Sequence, residues 1–186
     1  MTGVTSMLCA IAKIDNESRN RLRNIQKVAD SLGIPPRILY GHITLATFVS
    51  GNEDEIIRSC KAILRGRSVF SFQYEKVEVL SATSIVVISP KMEGVLLDLH
   101  KELVRGRNDE LDVWSRDGKW KPHTTLVHNP PVDLNLVGAE MSSVFEPFSA
   151  CVERIEFSKV TESGYEIIDA IDLDYESLNR AIITHT

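Results

Sequence analysis

The sequence predicts a duplicated, bilobal α+β fold in which two antiparallel sheets with outer helices surround a central cleft. Three observations carry the prediction. Short β-branched or aromatic runs alternate with amphipathic helical stretches along the chain. The same order of elements occurs twice. Finally, Phe70-Ser71 and Glu75-Lys76-Val77-Glu78-Val79 return as Phe148-Ser149 and Glu153-Arg154-Ile155-Glu156-Phe157, an offset of 78 residues. The expected unit is one domain of two pseudo-symmetric lobes, about residues 1–82 and 83–186, with strand exchange between the lobes left open.

Each element has its own signal. Residues 6–14 read as a strand, and Asp15 or Asn16 then offers an N-cap. Leu22, Ile25, Val28, Ala29 and Leu32 recur at helical spacing until Gly33 and the pair Pro35-Pro36 end the helix. Residues 41–48 form a second strand, 54–64 a helix and 70–80 a long strand. In the second half, residues 84–89 form a strand, and Met92, Val95, Leu96, Leu99 and Leu103 mark a helix. A polar connection over 105–119 leads to the strand of His123. After Pro130-Pro131 come a short helix at 134–144, a long strand at 148–160 and a hairpin partner at 165–173.

The chain has 186 residues, 43% apolar and 25% charged, enough to bury a core without staples. A formal net charge of -5 argues against binding long duplex nucleic acid, but leaves room for a nucleotide or an RNA end held by a local cationic patch. No run reaches the ~18 apolar residues of a membrane span, and the apolar stretch from Met7 has no basic lead, so neither a membrane anchor nor a signal peptide is expected. Cys9, Cys60 and Cys151 form no CxxC pair and read as small buried hydrophobes with reduced thiols. A monomer in the cytoplasm is the expectation.

The chemistry concentrates in two strands. His42-Ile43-Thr44-Leu45 recurs as His123-Thr124-Thr125-Leu126, and strand parity puts His42 with Thr44, and His123 with Thr125, on one face. Equivalent places in two repeated lobes let the two strands face each other across a cleft. Two imidazoles suit acid–base chemistry, one accepting a proton while the other donates one. Thr44 and Thr125 are placed to donate hydrogen bonds to phosphate oxygens. By the same parity Tyr40 is a candidate base contact and Lys121 a candidate phosphate cation. His128 falls on the face opposite His123 and reads as structural or surface, His100 as a satisfied helix histidine, and Trp120 as a core anchor. The scheme calls for no metal and no cofactor, and no G-x-S-x-G elbow or phosphate-binding loop points elsewhere.

At these residues the chain resembles the 2H phosphoesterase superfamily, and within it the 2'-5' RNA ligase-like and cyclic phosphodiesterase proteins. The resemblance rests on His42-Ile43-Thr44-Leu45 and on Trp120-Lys121-Pro122-His123-Thr124-Thr125-Leu126, and the duplication extends it over most of the chain. It implies metal-independent chemistry on 2',3'-cyclic or 2'-5' phosphodiester bonds of nucleotides or RNA ends, reversible in principle as 2'-5' ligation. It assigns the catalytic histidines to His42 and His123 and the phosphate-binding hydroxyls to Thr44 and Thr125. The alternative is a module that binds phosphorylated nucleotide or RNA ends without turning them over.

Overall fold

The computed structural model describes residues 7–34, 41–80, 83–161 and 164–175. Among the described residues, seven strands and five helices follow in the order β1 (Leu8–Ile14), α1 (Asn16–Gln26), α2 (Val28–Ser31), β2 (His42–Phe48), α3 (Glu53–Leu64), β3 (Phe70–Leu80), β4 (Ile85–Pro90), α4 (Val95–Val104), β5 (Thr124–His128), α5 (Leu134–Ser143), β6 (Phe148–Thr161) and β7 (Gly164–Asp172). A 3-10 turn, Val113–Ser115, lies in the connection before β5. Side-chain caps start the helices as their sequences require. Asp15 accepts from the Ser18 N–H, Asn52 from Glu55 and Asp133 from Asn135. The helix expected from Met92 begins at Val95 instead. Gly94 precedes it at φ 70°, a left-handed conformation outside the helix, and this leaves Met92 exposed.

All strand pairs are antiparallel and form one hydrogen-bonded network in the order β2-β1-β6-β3-β4-β5, with β7 on β6. The two ladders expected from the sequence are therefore joined, because β6 serves both. Its first residues pair with β3 and its remainder lies between β1 and β7. The β3–β6 register shows why. Phe70 pairs with Val152, Tyr74 with Phe148 and Phe72 with Ala150. The offset of 78 carries Phe70 onto Phe148 and Tyr74 onto Val152, so it exchanges the two outer pairs and returns Phe72–Ala150 to itself. A local two-fold axis runs through that central pair.

One face of the network packs under the helices. Leu22, Ile25, Ile56, Cys60, Leu64, Leu96, Leu99 and Leu103 are buried there against Ile43, Leu45, Leu126, Ile155 and Phe157. Burying each large aliphatic side chain contributes about 1.5–3 kcal/mol before the entropy of ordering it. The helices cross between the halves: α1 of the first packs on β5 and β6, and α4 of the second packs on β2 and β3. The opposite face carries Ile11 and Val87, which are buried yet stand apart from the helix-side cluster, and it floors the cleft. Among the described residues, no helix is long and apolar enough to cross a membrane.

Candidate active site

Both His-x-Thr segments end in the same irregularity. Along β1–β2, Ala10 pairs with Ala46 but Ile11 with Thr44, so Leu45 is an extra residue. Along β4–β5, Val86 pairs with Val127 but Val87 with Thr125, so Leu126 is the extra residue. A β-bulge leaves its inserted residue outside the ladder and re-aims the strand beyond it. Each stranded carbonyl finds a donor on the helix from the other half: Leu45 O lies 2.8 Å from His100 Nδ1 on α4, and Leu126 O accepts from Gln26 Nε2 on α1 at 3.1 Å. A carbonyl only accepts, so His100 carries its proton on Nδ1. His100 is buried and stacks on Trp120 with ring centroids 4.0 Å apart, and burial lowers its pKa.

The bulges also reset strand parity. Thr47 falls on the cleft face with His42 and Thr44, where its hydroxyl lies 3.5 Å from Cys9 Sγ. His128 pairs with Ile85 and Thr125 with Val87, two residues apart on β4, so His128 shares the Thr125 face. The alternation expected from sequence put it on the opposite face, and the inserted Leu126 reverses that. His128 is exposed at the end of its strand.

The two half-sites are tied directly to each other. Thr124, adjacent to His123, donates from Oγ1 to the carbonyl of His42 at 2.8 Å. Its oxygen lies 2.5 Å from the hydroxyl of Tyr74, which is fully buried. With the Thr124 proton committed to His42 O, the Tyr74 hydroxyl donates to Thr124 Oγ1. Trp120 Nε1 donates to Thr44 O at 3.0 Å. Gly41 sets the entry to β2. It has φ 65°, and a Cβ there would lie 2.8 Å from the Arg19 side chain, so the position suits glycine.

His42, Thr44, His123 and Thr125 are all partly buried, and His123 lies one residue before the assigned start of β5. His123 Nδ1 sits 2.8 Å from Lys121 O, which makes Nδ1 a protonated nitrogen and leaves Nε2 as the one to exchange a proton. Burial foremost, then the charge of His123, lowers the His42 pKa to about 4 against the opposing pull of Glu156. The Tyr165 ring lies edge-on to His42 with centroids 5.0 Å apart.

Thr44, Thr47, His123 and Lys121 line a cavity of about 550 Å³ whose remaining wall includes Glu78, Leu80, Ile85, Asp112, Trp114 and Lys119. A larger cavity, about 660 Å³, opens between α1, α2 and the end of β5 and holds none of the four His-x-Thr side chains. Lys121 is thus at the site, whereas Tyr40 lies outside the described residues. Trp114 has no signal in the sequence because it lies in a polar connection. It is 62% exposed, and its turn is fastened to β2: Thr47 N donates to Ser115 Oγ and Asp112 N donates to Thr47 O, both at 2.9 Å. Among the described residues no three His, Cys, Asp or Glu side chains gather to hold a metal ion.

Solved structures share this architecture. TT0787 of Thermus thermophilus aligns with a TM-score of 0.66 at 19% identity, covering 91% of this chain and 99% of its own. LigT of E. coli complexed with 3'-AMP aligns with a TM-score of 0.60 at 13% identity, covering 90% of this chain and 97% of its own. A crystal structure described as a phosphoesterase aligns at 0.59 and 14% identity, over 91% of this chain and 98% of its own. Identities this low show the shared fold. No curated protein matches the chain. A family model described as the 2'-5' RNA ligase superfamily matches residues 18–163, and the chain belongs to that superfamily, a group of 2H phosphoesterases.

Proposed function

We propose that this protein is a metal-independent phosphodiesterase that opens 2',3'-cyclic phosphates or cleaves 2'-5' linkages of nucleotides or RNA ends. The observation that carries the reading is the pair of equivalent His-x-Thr half-sites tied together by Thr124. His42, neutral above about pH 4, takes the proton of an attacking water as its oxygen bonds to phosphorus. The bond from phosphorus to a ribose oxygen breaks, and that oxygen takes the Nε2 proton of His123, which enters the step as the imidazolium. Thr44 and Thr125 donate to the non-bridging oxygens, and Lys121 balances their charge. The same steps on a 2',3'-cyclic phosphate, with a 5'-hydroxyl in place of water, make a 2'-5' linkage, and their reverse cleaves it.

The cavity volume falls within the range of small-molecule sites, and the exposed indole of Trp114 offers a base a flat apolar surface at the rim. Glu78 and Asp112 offset Lys119 and Lys121 around it, which favours one nucleotide or a short end over a long RNA track. The structures of E. coli LigT with 3'-AMP, NADP+ and ATP accord with a nucleotide ligand.

The test is a panel of 2',3'-cyclic nucleotides, 2'-5' dinucleotides and cyclic-phosphate RNA ends, read by product mass with and without EDTA. Product that persists in EDTA and is lost in both His42→Ala and His123→Ala supports the proposal. Full activity in either variant refutes the two-histidine scheme. Tight binding without product in single turnover assigns the protein to the binding class instead.

A further inference from the structure

The repeat that duplicates the His-x-Thr motif also duplicates a carboxylate. Glu78 and Glu156 are related by the offset of 78, and each stands in the same row as its threonine. Val87 pairs with both Glu78 and Thr125, and Ile11 with both Glu156 and Thr44. Each glutamate also pairs with the basic residue two positions before it, Glu78 with Lys76 at 3.0 Å and Glu156 with Arg154 at 3.2 Å. Their surroundings have then diverged. Glu78 lines the cavity and accepts from Ser89 Oγ at 2.5 Å. Glu156 is 3% exposed, and at the place corresponding to Ser89 it meets Lys13, whose Nζ is 3.4 Å away. Lys13 is in turn the ladder partner of His42 on one side and Arg154 on the other.

We propose that Glu156 is a positioning residue for the His42 half-site, a buried carboxylate whose ion pairs with Lys13 and Arg154 set the field in which His42 exchanges its proton. The proposal rests on the reading of His42 as proton acceptor. Two cations beside a partly buried imidazole would oppose its protonation throughout turnover, and Glu156 compensates them from the same face of the sheet. With a neutral residue there, His42 would hold an accepted proton too weakly to act as a base. Arg154 is also paired with Asp172 at 3.0 Å. Among the described residues, the charged and titratable groups around His42 include Lys13 from β1, Arg154 and Glu156 from β6, Tyr165 from β7 and His123 from the other half.

The experiment follows the His42 imidazole by NMR as a function of pH in the resting protein, with His42→Gln to assign the resonance. Lys13→Met removes a cation and is expected to raise the His42 midpoint by roughly one unit, about tenfold in its protonation constant. Lys13→Met/Glu156→Gln removes both charges of the pair, so neither is left buried alone, and is expected to bring the midpoint back down. Circular dichroism checks the fold of each variant. A Lys13→Met midpoint equal to the parent's overturns the proposal, and so does a double variant that titrates with Lys13→Met. The readout needs no turnover. An inactive protein with shifted midpoints refutes the phosphodiesterase reading alone, and an active one with unmoved midpoints refutes this inference alone.

Discussion

Thr124→Val is the sharpest single test of how the two halves are joined, because it keeps shape and deletes one oxygen. Thr124 is 2% exposed, donates to His42 O at 2.8 Å and lies 2.5 Å from the Tyr74 hydroxyl. The substitution strands that hydroxyl where no water reaches, costing about 1–3 kcal/mol, and removes the donor from His42 O for about 1 kcal/mol more. The expected loss is about 2–4 kcal/mol, read as a lower urea midpoint at unchanged m-value, or a Tm lower by roughly 5–15 °C for a chain of this size. Thr124→Val/Tyr74→Phe removes both ends of the upper bond. It is expected to be more stable than Thr124→Val alone by about 1 kcal/mol, since no buried hydroxyl is then left unpaired. A Thr124→Val protein within about 0.5 kcal/mol of the parent, or a double variant less stable than the single, would show that the relay from Tyr74 to His42 does not hold the halves together.

Three further outcomes are expected. His42 titrates near 4 in the folded chain against about 6.5 unfolded, so between those values the unfolded state binds more protons and stability falls as pH drops. The contribution present above pH 6.5 and lost on passing pH 4 is about 3 kcal/mol at most, and urea midpoints at pH 7 and pH 4.5 should converge by part of that in His42→Gln. His100→Phe keeps a ring against Trp120 but leaves Leu45 O without its donor, for an expected cost of about 1–3 kcal/mol in denaturant unfolding. Trp114→Ala should leave stability within about 0.5 kcal/mol, since the indole is exposed, while weakening 3'-AMP binding by about 1–3 kcal/mol in a calorimetric titration. Unchanged 3'-AMP affinity would remove Trp114 from the base site.

Most elements are legible in the sequence because their signals are local. The Asp15, Asn52 and Asp133 caps and the apolar spacing of α1 and α3 need no tertiary information. The paired motifs are legible because duplication prints the same residues twice. What alternation cannot see is an inserted residue. Leu45 and Leu126 fit the apolar side of their strands by composition, yet they are bulges, and this is why alternation puts His128 on the wrong face. Met92 and Val95 share the apolar spacing of α4, but the backbone of Gly94 ends the helix between them, a property of φ rather than of hydropathy. The joining of two ladders into one depends on pairing between residues about 74 to 82 apart, beyond any window of local pattern. Trp114 carries no periodic signal, and its place at the cavity follows from hydrogen bonds to β2.

The self-matching pair Phe72–Ala150 has an evolutionary consequence. A half-length chain bearing a single His-x-Thr strand could pair its long strand with that of a second copy in this same register, giving an isologous dimer with a C2 axis and two identical histidines. In such an assembly every substitution occurs twice, so both imidazoles are bound to one proton affinity. Fusing the copies into one polypeptide lifts that constraint. Lys13 beside Glu156, where the other half has Ser89 beside Glu78, is a change a symmetric dimer could not make on one side only.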